Sequence, residues 1–312
     1  MPIVEAHGLT KSFGDVQALC GLSLSVDEGE ILGVLGPNGA GKTTAINILT
    51  TLTRPDGGTV RVAGVDVLAD PAAVRPLIGL TGQFAALDDN LTARENLVLF
   101  GRLFKLGKAA AAARAVELLD AFDLADAADR RTGTFSGGMR RRLDLAASMI
   151  GNPRVLFLDE PTTGLDPRSR TMLWDVVRRL RDTGVTIFLT TQYLEEADQL
   201  ADRIVVIDHG AVIAEGTPAQ LKDRIGGAVC FLSVDDSLRE RAVAALGDRS
   251  PTVGDDEITL PSDGPSTLMA VLRALDDEGI VPTDIGLRHP TLDDVFLALT
   301  GSATAPEVEV TA

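Results

Sequence analysis

Short apolar runs alternate with longer stretches of helical periodicity across the first two-thirds of the chain. Ile31-Leu32-Gly33-Val34-Leu35 is apolar throughout, as expected of a strand covered on both faces of a parallel sheet. A helix is predicted over residues 42–52. Residues 155–158 and 185–189 repeat the buried-strand pattern, with a helix at 167–181 between them. Residues 203–208 and 211–215 read as paired strands joined by a His209-Gly210 turn. Residues from about 92 to 150 are mostly helical, within an insert of about 84–150, and the alanine-rich stretch 108–122 keeps a core stripe at Leu118, Leu119 and Phe122. The pattern predicts an α/β domain with a helical insert.

Beyond Gly226-Gly227 the texture changes. A strand at 228–234, a helix at 238–246, short strands near 252–253 and 257–260, a helix at 266–278, a strand at 284–288 and a helix at 292–299 follow. This βαββαβ order plus a helix predicts a small ferredoxin-like α+β domain over 226–301. Residues 302–312 read as a flexible tail.

Composition narrows the class. The chain has 312 residues, 45% hydrophobic and 24% charged, which suits folded domains and excludes global disorder. Lys+Arg 29 against Asp+Glu 45 gives a net charge of −16, unlike the basic footprint of a nucleic-acid binder. Cys20 and Cys230 with no signal-like leader point to a reducing compartment without a disulfide framework. No apolar run approaches the roughly 20 residues that cross a bilayer, so membrane work requires another polypeptide.

Gly36-Pro37-Asn38-Gly39-Ala40-Gly41-Lys42-Thr43, closed by Thr44, fits G-x-x-x-x-G-K-[ST] between a buried strand and a helix. Its glycines let amides converge on phosphate oxygens at a helix N-terminus. Lys42 is expected at the β- and γ-phosphates, with the Thr43 hydroxyl on Mg²⁺. The 155–158 strand delivers Asp159 and Glu160 at its C-terminal end, where open α/β sheets bind ligands. Asp159 is expected to hold Mg²⁺ and Glu160 to act as general base for the attacking water.

Phe135-Ser136-Gly137-Gly138-Met139 opens a second helix whose N-terminus suits an anion. With this segment the chain resembles the ATP-binding cassette ATPases over residues 1–225, with Phe135 and Met139 where that family usually has Leu and Gln, and the resemblance implies an α/β P-loop nucleotide-binding domain with a helical insert and an antiparallel β subdomain. The resemblance implies that Ser136, Gly137, Gly138 and Met139 act on the ATP of an opposite protomer. It implies that Phe13 stacks on adenine, that Gln83 touches Mg²⁺ and senses a membrane partner, and that Asp166 lies in a loop crossing to the other protomer. Taken alone, Phe13 would read as core, and Asp166 before Pro167 as a helix start. Gln192 stands where the family carries a histidine at the γ-phosphate; its amide can donate a hydrogen bond but cannot titrate near neutrality. His7, His209 and His289 read as structural.

Gln192, the Thr-Gly-Gln83 string, residues 135–144 and the closing Pro290-Thr291-Leu292-Asp293-Asp294-Val295-Phe296 resemble the ATP-binding subunits of daunorubicin/doxorubicin-type multidrug exporters. That subgroup implies a homodimer of this chain bound to a separate transmembrane permease at the cytoplasmic face of a bacterial membrane. ATP and Mg²⁺ are the implied cofactors, and the cargo a hydrophobic antibiotic or lipid. Residues 84–99 are expected to meet the permease, and the helix at 292–299 to support dimerisation. Arg140-Arg141-Arg142 reads as a partner contact or a solvated face. A non-transport cassette ATPase on ribosomes or DNA, and a nucleotide-binding regulator with little turnover, are the alternatives. The acidic charge opposes the first and Glu160 the second.

Overall fold

The computed structural model describes residues 2–82, 87–224, 227–254 and 257–300. The chain divides into two compact units, Met1–Pro218 and Ala219–Ala312. In chain order, the first unit holds β1 (Pro2–Phe13), β2 (Val16–Asp27), β3 (Ile31–Leu35), α1 (Lys42–Leu49), β4 (Gly57–Val62), β5 (Val65–Asp66), α2 (Pro71–Val74) and β6 (Ile78–Thr81). Then come α3 (Ala93–Leu103), α4 (Lys108–Ala121), α5 (Gly137–Ser148), β7 (Val155–Asp159), α6 (Pro167–Asp182), β8 (Thr186–Thr191), α7 (Leu194–Leu200), β9 (Arg203–Asp208) and β10 (Ala211–Gly216).

One sheet has the order β10-β9-β3-β8-β7-β6, parallel except for β10; the other is antiparallel, β2-β1-β4-β5. Every residue of β3, β7 and β8 is buried, as their apolar runs predict, and Asp159 of β7 and Thr186, Thr190 and Thr191 of β8 are buried with them. Alternation then sorts the side chains between two cores. Val155, Phe157 and Phe188 join α1 and the antiparallel sheet, while Leu156, Leu158, Ile187 and Leu189 join the helices α3–α6. Each such buried side chain contributes about 1.5–3 kcal/mol. The two cores clamp the central strands, so their C-terminal ends are fixed relative to one another.

The helical insert takes its start from Thr92. Its hydroxyl accepts from the Glu95 amide at 3.2 Å, and Glu95 Oε2 accepts from the Thr92 amide at 2.8 Å, a reciprocal cap that starts α3. Fully buried Asn96 then donates to the carbonyls of Asp88 and Thr92, both at 3.0 Å, fixing the turn at 88–90 against α3.

The second unit follows α8 (Pro218–Arg224) with β11 (Val229–Ser233), α9 (Arg239–Ala245), β12 (Thr252–Val253), β13 (Ile258–Pro261), α10 (Pro265–Asp277), β14 (Asp284–Arg288) and α11 (Leu292–Thr300). Its antiparallel sheet has the order β12-β13-β11-β14, so β11 sits between β13 and β14, the split βαβ arrangement. Cys230, Leu232, Ile258 and Leu260 pack on Val271 and Leu275 to form its core. In α11, Leu292, Val295 and Phe296 are buried, leaving Leu297 and Leu299 on the open face. The expected flexible tail lies outside the described residues.

Candidate active site

β3 passes into α1 through residues 36–41. Gly41 caps the helix at φ 104°, and a Cβ there would lie 2.6 Å from the Ala18 carbonyl oxygen and 2.8 Å from Leu19 Cδ2. Only glycine closes this turn against β2. The first amides of α1 then have no carbonyl partner within the helix and face the loop formed by exposed Pro37, Asn38 and Gly39. Ala40 is buried, while Thr43 is exposed and Thr44 half-buried.

Lys42 is 5% exposed; its Nζ donates to Gly36 O at 2.7 Å and Pro37 O at 3.1 Å and lies 3.5 Å from Glu160 Oε1. Buried Asp159 ends β7. Its carboxylate accepts from Thr43 Oγ1 at 3.0 Å and from Thr190 Oγ1 at 2.6 Å. Parallel pairing of β7 and β3 with β8 is what brings these three chain segments to one edge. Glu160 has φ 48°, a left-handed conformation that costs a non-glycine residue about 1–3 kcal/mol. Its amide donates to Thr190 O at 3.1 Å, and its carbonyl accepts from the Thr163 amide at 3.3 Å. The described residues hold no cluster of three His, Cys, Asp or Glu that could form a metal cage. Thr43 and Asp159 together suit Mg²⁺, a hard cation that takes one or two protein oxygens and completes its shell with water and phosphate.

The second anion-binding end is built differently. Exposed Ser136 caps α5, its Oγ accepting from the Met139 amide at 3.3 Å. Gly138 is buried against α6, where a Cβ would lie 2.4 Å from Ser169 Oγ and 2.7 Å from Ser169 Cβ. Ser169 is itself held by Asp166, which caps α6 by accepting from the Ser169 amide at 2.9 Å and its hydroxyl at 2.7 Å. These bonds hold the Asp166 carboxyl below the usual range, the backbone bond contributing most. Among the described residues no hydrogen bond joins Ser136 to Lys42, Thr43 or Glu160.

Gln192 is half-buried in the link between β8 and α7, leaving the sheet at the same edge as the loop of α1. Phe13 is 53% exposed beside the β1–β2 turn, with Lys11 Nζ 5.3 Å from its ring centroid. The reading of Phe13 as core is therefore corrected: it ends β1 opposite Val16 with its ring open to solvent. Gln83 lies outside the described residues, as do the first residues of the expected permease-facing segment 84–99. All three histidines are exposed.

The arginine run is a second correction. It is not a uniform solvated face, because α5 turns two of its members inward. Arg142 is 8% exposed, with Nη1 3.7 Å from Met172 Sδ. Arg141 donates to Gly82 O at 2.6 Å, Pro161 O at 2.7 Å, Asp159 O at 3.3 Å and Glu160 O at 3.4 Å. Arg140 alone points outward, paired with Asp89.

Comparison with known proteins agrees with this geometry. A family model described as ABC transporter matches residues 19–163. The chain is 54% identical over 308 residues to the daunorubicin resistance ATP-binding protein DrrA2 of Streptomyces coeruleorubidus, with 96% of each chain covered. The chain belongs to the ABC transporter family. It is also 51% identical over 313 residues to the doxorubicin resistance ATP-binding protein DrrA of Mycobacterium tuberculosis, covering 96% of this chain and 94% of that one. Among solved structures, a dimeric ATP-binding cassette in a post-hydrolysis state with ADP and phosphate superposes with a TM-score of 0.62 at 28% identity. It covers 69% of this chain and 98% of its own. As an ABC ATPase the chain binds ATP with Mg²⁺ and couples its hydrolysis to transport. Such subunits dimerise and work with separate transmembrane components. No helix among the described residues is long and apolar enough to cross a membrane.

Proposed function

We propose that this chain powers efflux of a hydrophobic drug, antibiotic or lipid by closing two of its copies, head to tail, around ATP. The carrying observation is the division of the site. Lys42 meets Glu160 and Thr43 meets Asp159, whereas Ser136 lies exposed at another helix end with no bond to them among the described residues. A second copy supplies the missing half.

In this reading residues 36–44 cradle the phosphates, with Lys42 on the β- and γ-phosphates and Phe13 against adenine. Thr43, Asp159 and Gln83 hold Mg²⁺, which when bound neutralises charge on the phosphates. Glu160 takes the proton of the attacking water, and the Gln192 amide donates to the γ-phosphate. Ser136, Gly137, Gly138 and Met139 meet the opposite ATP, and the Asp166 loop crosses between copies. Residues 1–225 form the cassette and 226–301 an accessory domain whose last helix helps pairing. Residues 84–99 receive the permease at the cytoplasmic face of a bacterial membrane. The names of the drug-resistance relatives favour transport over work on ribosomes or DNA.

Glu160→Gln in the full chain tests the reading. Turnover falls on the order of 100-fold or more while ATP still binds, because a positioned base contributes about that much. Sedimentation then shows a dimer only with ATP, and Ser136→Ala added to this variant weakens the dimer. Normal turnover, or a dimer indifferent to ATP, overturns it.

A further inference from the structure

The guanidinium of Arg141 makes an unusual set of contacts. It is 11% exposed, yet four of its hydrogen bonds go to backbone carbonyls, and its one close ion pair among the described residues, Asp144 at 3.5 Å, is on its own helix. The carbonyls belong to two neighbouring strand exits. Gly82 follows β6, whereas Asp159, Glu160 and Pro161 form the end of β7 and its continuation; β6 and β7 pair in parallel with Thr81 opposite Leu158. Burial pulls the guanidinium pKa down, against the pull of the carboxylates Asp144, Glu196 and Asp159, which raise it.

We propose that Arg141 is a positioning residue that ties the Ser136 end of α5 to the backbone of Glu160 in the same chain. The inference rests on the roles proposed above for Ser136 and Glu160. Ser136 and Arg141 share one rigid helix, so any shift of the helix on engaging the opposite ATP is carried to the carbonyls that Arg141 holds. Glu160 is the residue most sensitive to such a shift. Its backbone is left-handed without being glycine, and it persists only because its neighbours define it: Thr190 on the amide, Thr163 and Arg141 on the carbonyl. A rigid fork of five N–H donors can span two strand ends. A lysine ammonium, a single point charge, cannot.

Full-length Arg141→Ala and Arg141→Lys test this, with Arg140→Gln as the control on the adjacent outward pair. Nucleotide affinity is measured by calorimetry, turnover by phosphate release and folding by circular dichroism. ATP affinity stays within about twofold, because the cradle is untouched, while turnover falls on the order of 10- to 100-fold, the cost of a misplaced group. Lysine does not rescue, and Arg140→Gln keeps turnover within about twofold, as an exposed pair should. Wild-type turnover in folded Arg141 variants overturns the proposal. So does unfolding of both, or an equal loss of affinity and turnover, since the residue is then merely a structural post. Glu160→Gln run alongside separates the two readings. If it loses turnover and the Arg141 variants do not, only the tie is wrong; if it keeps turnover, the site itself is misassigned.

Discussion

The two helix N-termini that face phosphate in the proposed dimer are built on opposite plans. At α1 the charges are already partnered: Lys42 on two carbonyls and beside Glu160, Asp159 under two threonine hydroxyls. At α5 the cap is an exposed serine that accepts one amide at 3.3 Å, and no acidic residue lies in the first turn of the helix. The first is a preorganised electrostatic site that holds its shape before ligand arrives; the second is a backbone surface that has little to lose when a phosphate meets it. Binding energy should therefore reside in the first and dimer specificity in the second.

The largest expected effect follows directly. Lys42→Ala removes the only cation in the cradle and leaves Glu160 facing the phosphates without a counter-charge. Charge-assisted hydrogen bonds of this kind are each worth about 1.5–3 kcal/mol, so ATP affinity should fall by more than about 100-fold. Calorimetry with the full chain measures it. An unchanged affinity would mean that the amides at α1 carry the binding and that the contrast between the two ends is false.

A smaller effect is expected at the other end. Gly138→Ala drives a methyl to within 2.7 Å of Ser169 Cβ, and Ser169 cannot step aside without breaking both of its bonds to Asp166. Overpacking of this kind costs about 1–3 kcal/mol. Because the clash spares the cradle, the melting temperature and ATP-driven dimerisation should both drop while ATP affinity of the monomer is kept. Loss of affinity instead would show that the ends are not independent.

The same contrast decides what could be read from the chain. The cradle was legible because its chemistry is contiguous: apolar β3, glycine loop and Lys42 follow one another, and Asp159 and Glu160 close a run that is buried on both faces. The hairpin of β1 and β2 was not read strand by strand, since register shifts at Ala6/Leu9, Leu9/Thr10 and Lys11/Ser12 break the period of two. Arg141 was misread for a different reason. Spacing along α5 gives a face, but its acceptors lie 59 residues away at Gly82 and 20 away at Pro161, and a carbonyl carries no sequence signature. The composition of an arginine run says nothing about which member the helix turns inward. In the second unit the βαββαβ order was legible because each strand and helix is short and separated by turn residues, and the sheet order followed from it.

The finest test lies behind the α6 end. Glu196 of α7 is fully buried, with Oε1 accepting from Trp174 Nε1 of α6 at 3.1 Å. Burial raises its carboxyl pKa, against hydrogen bonds from Thr191 and Trp174 and the charge of Arg170, with Arg141 also nearby. The sign is then fixed. Between the ordinary glutamate value, about 4.3, and the raised folded value, the folded chain binds more protons than the unfolded one. Stability from this group is therefore complete below the ordinary value and declines as pH rises to the folded value, beyond which it is flat. Glu196→Gln is neutral at every pH, and its amide oxygen still accepts from Trp174. Melting temperatures taken across pH should show the variant gaining on the wild type as pH rises through that interval, with both close together below it. Curves that run parallel would mean that Glu196 ionises in the fold as it does in water, and that the packing of α7 on α6 carries no proton-linked cost.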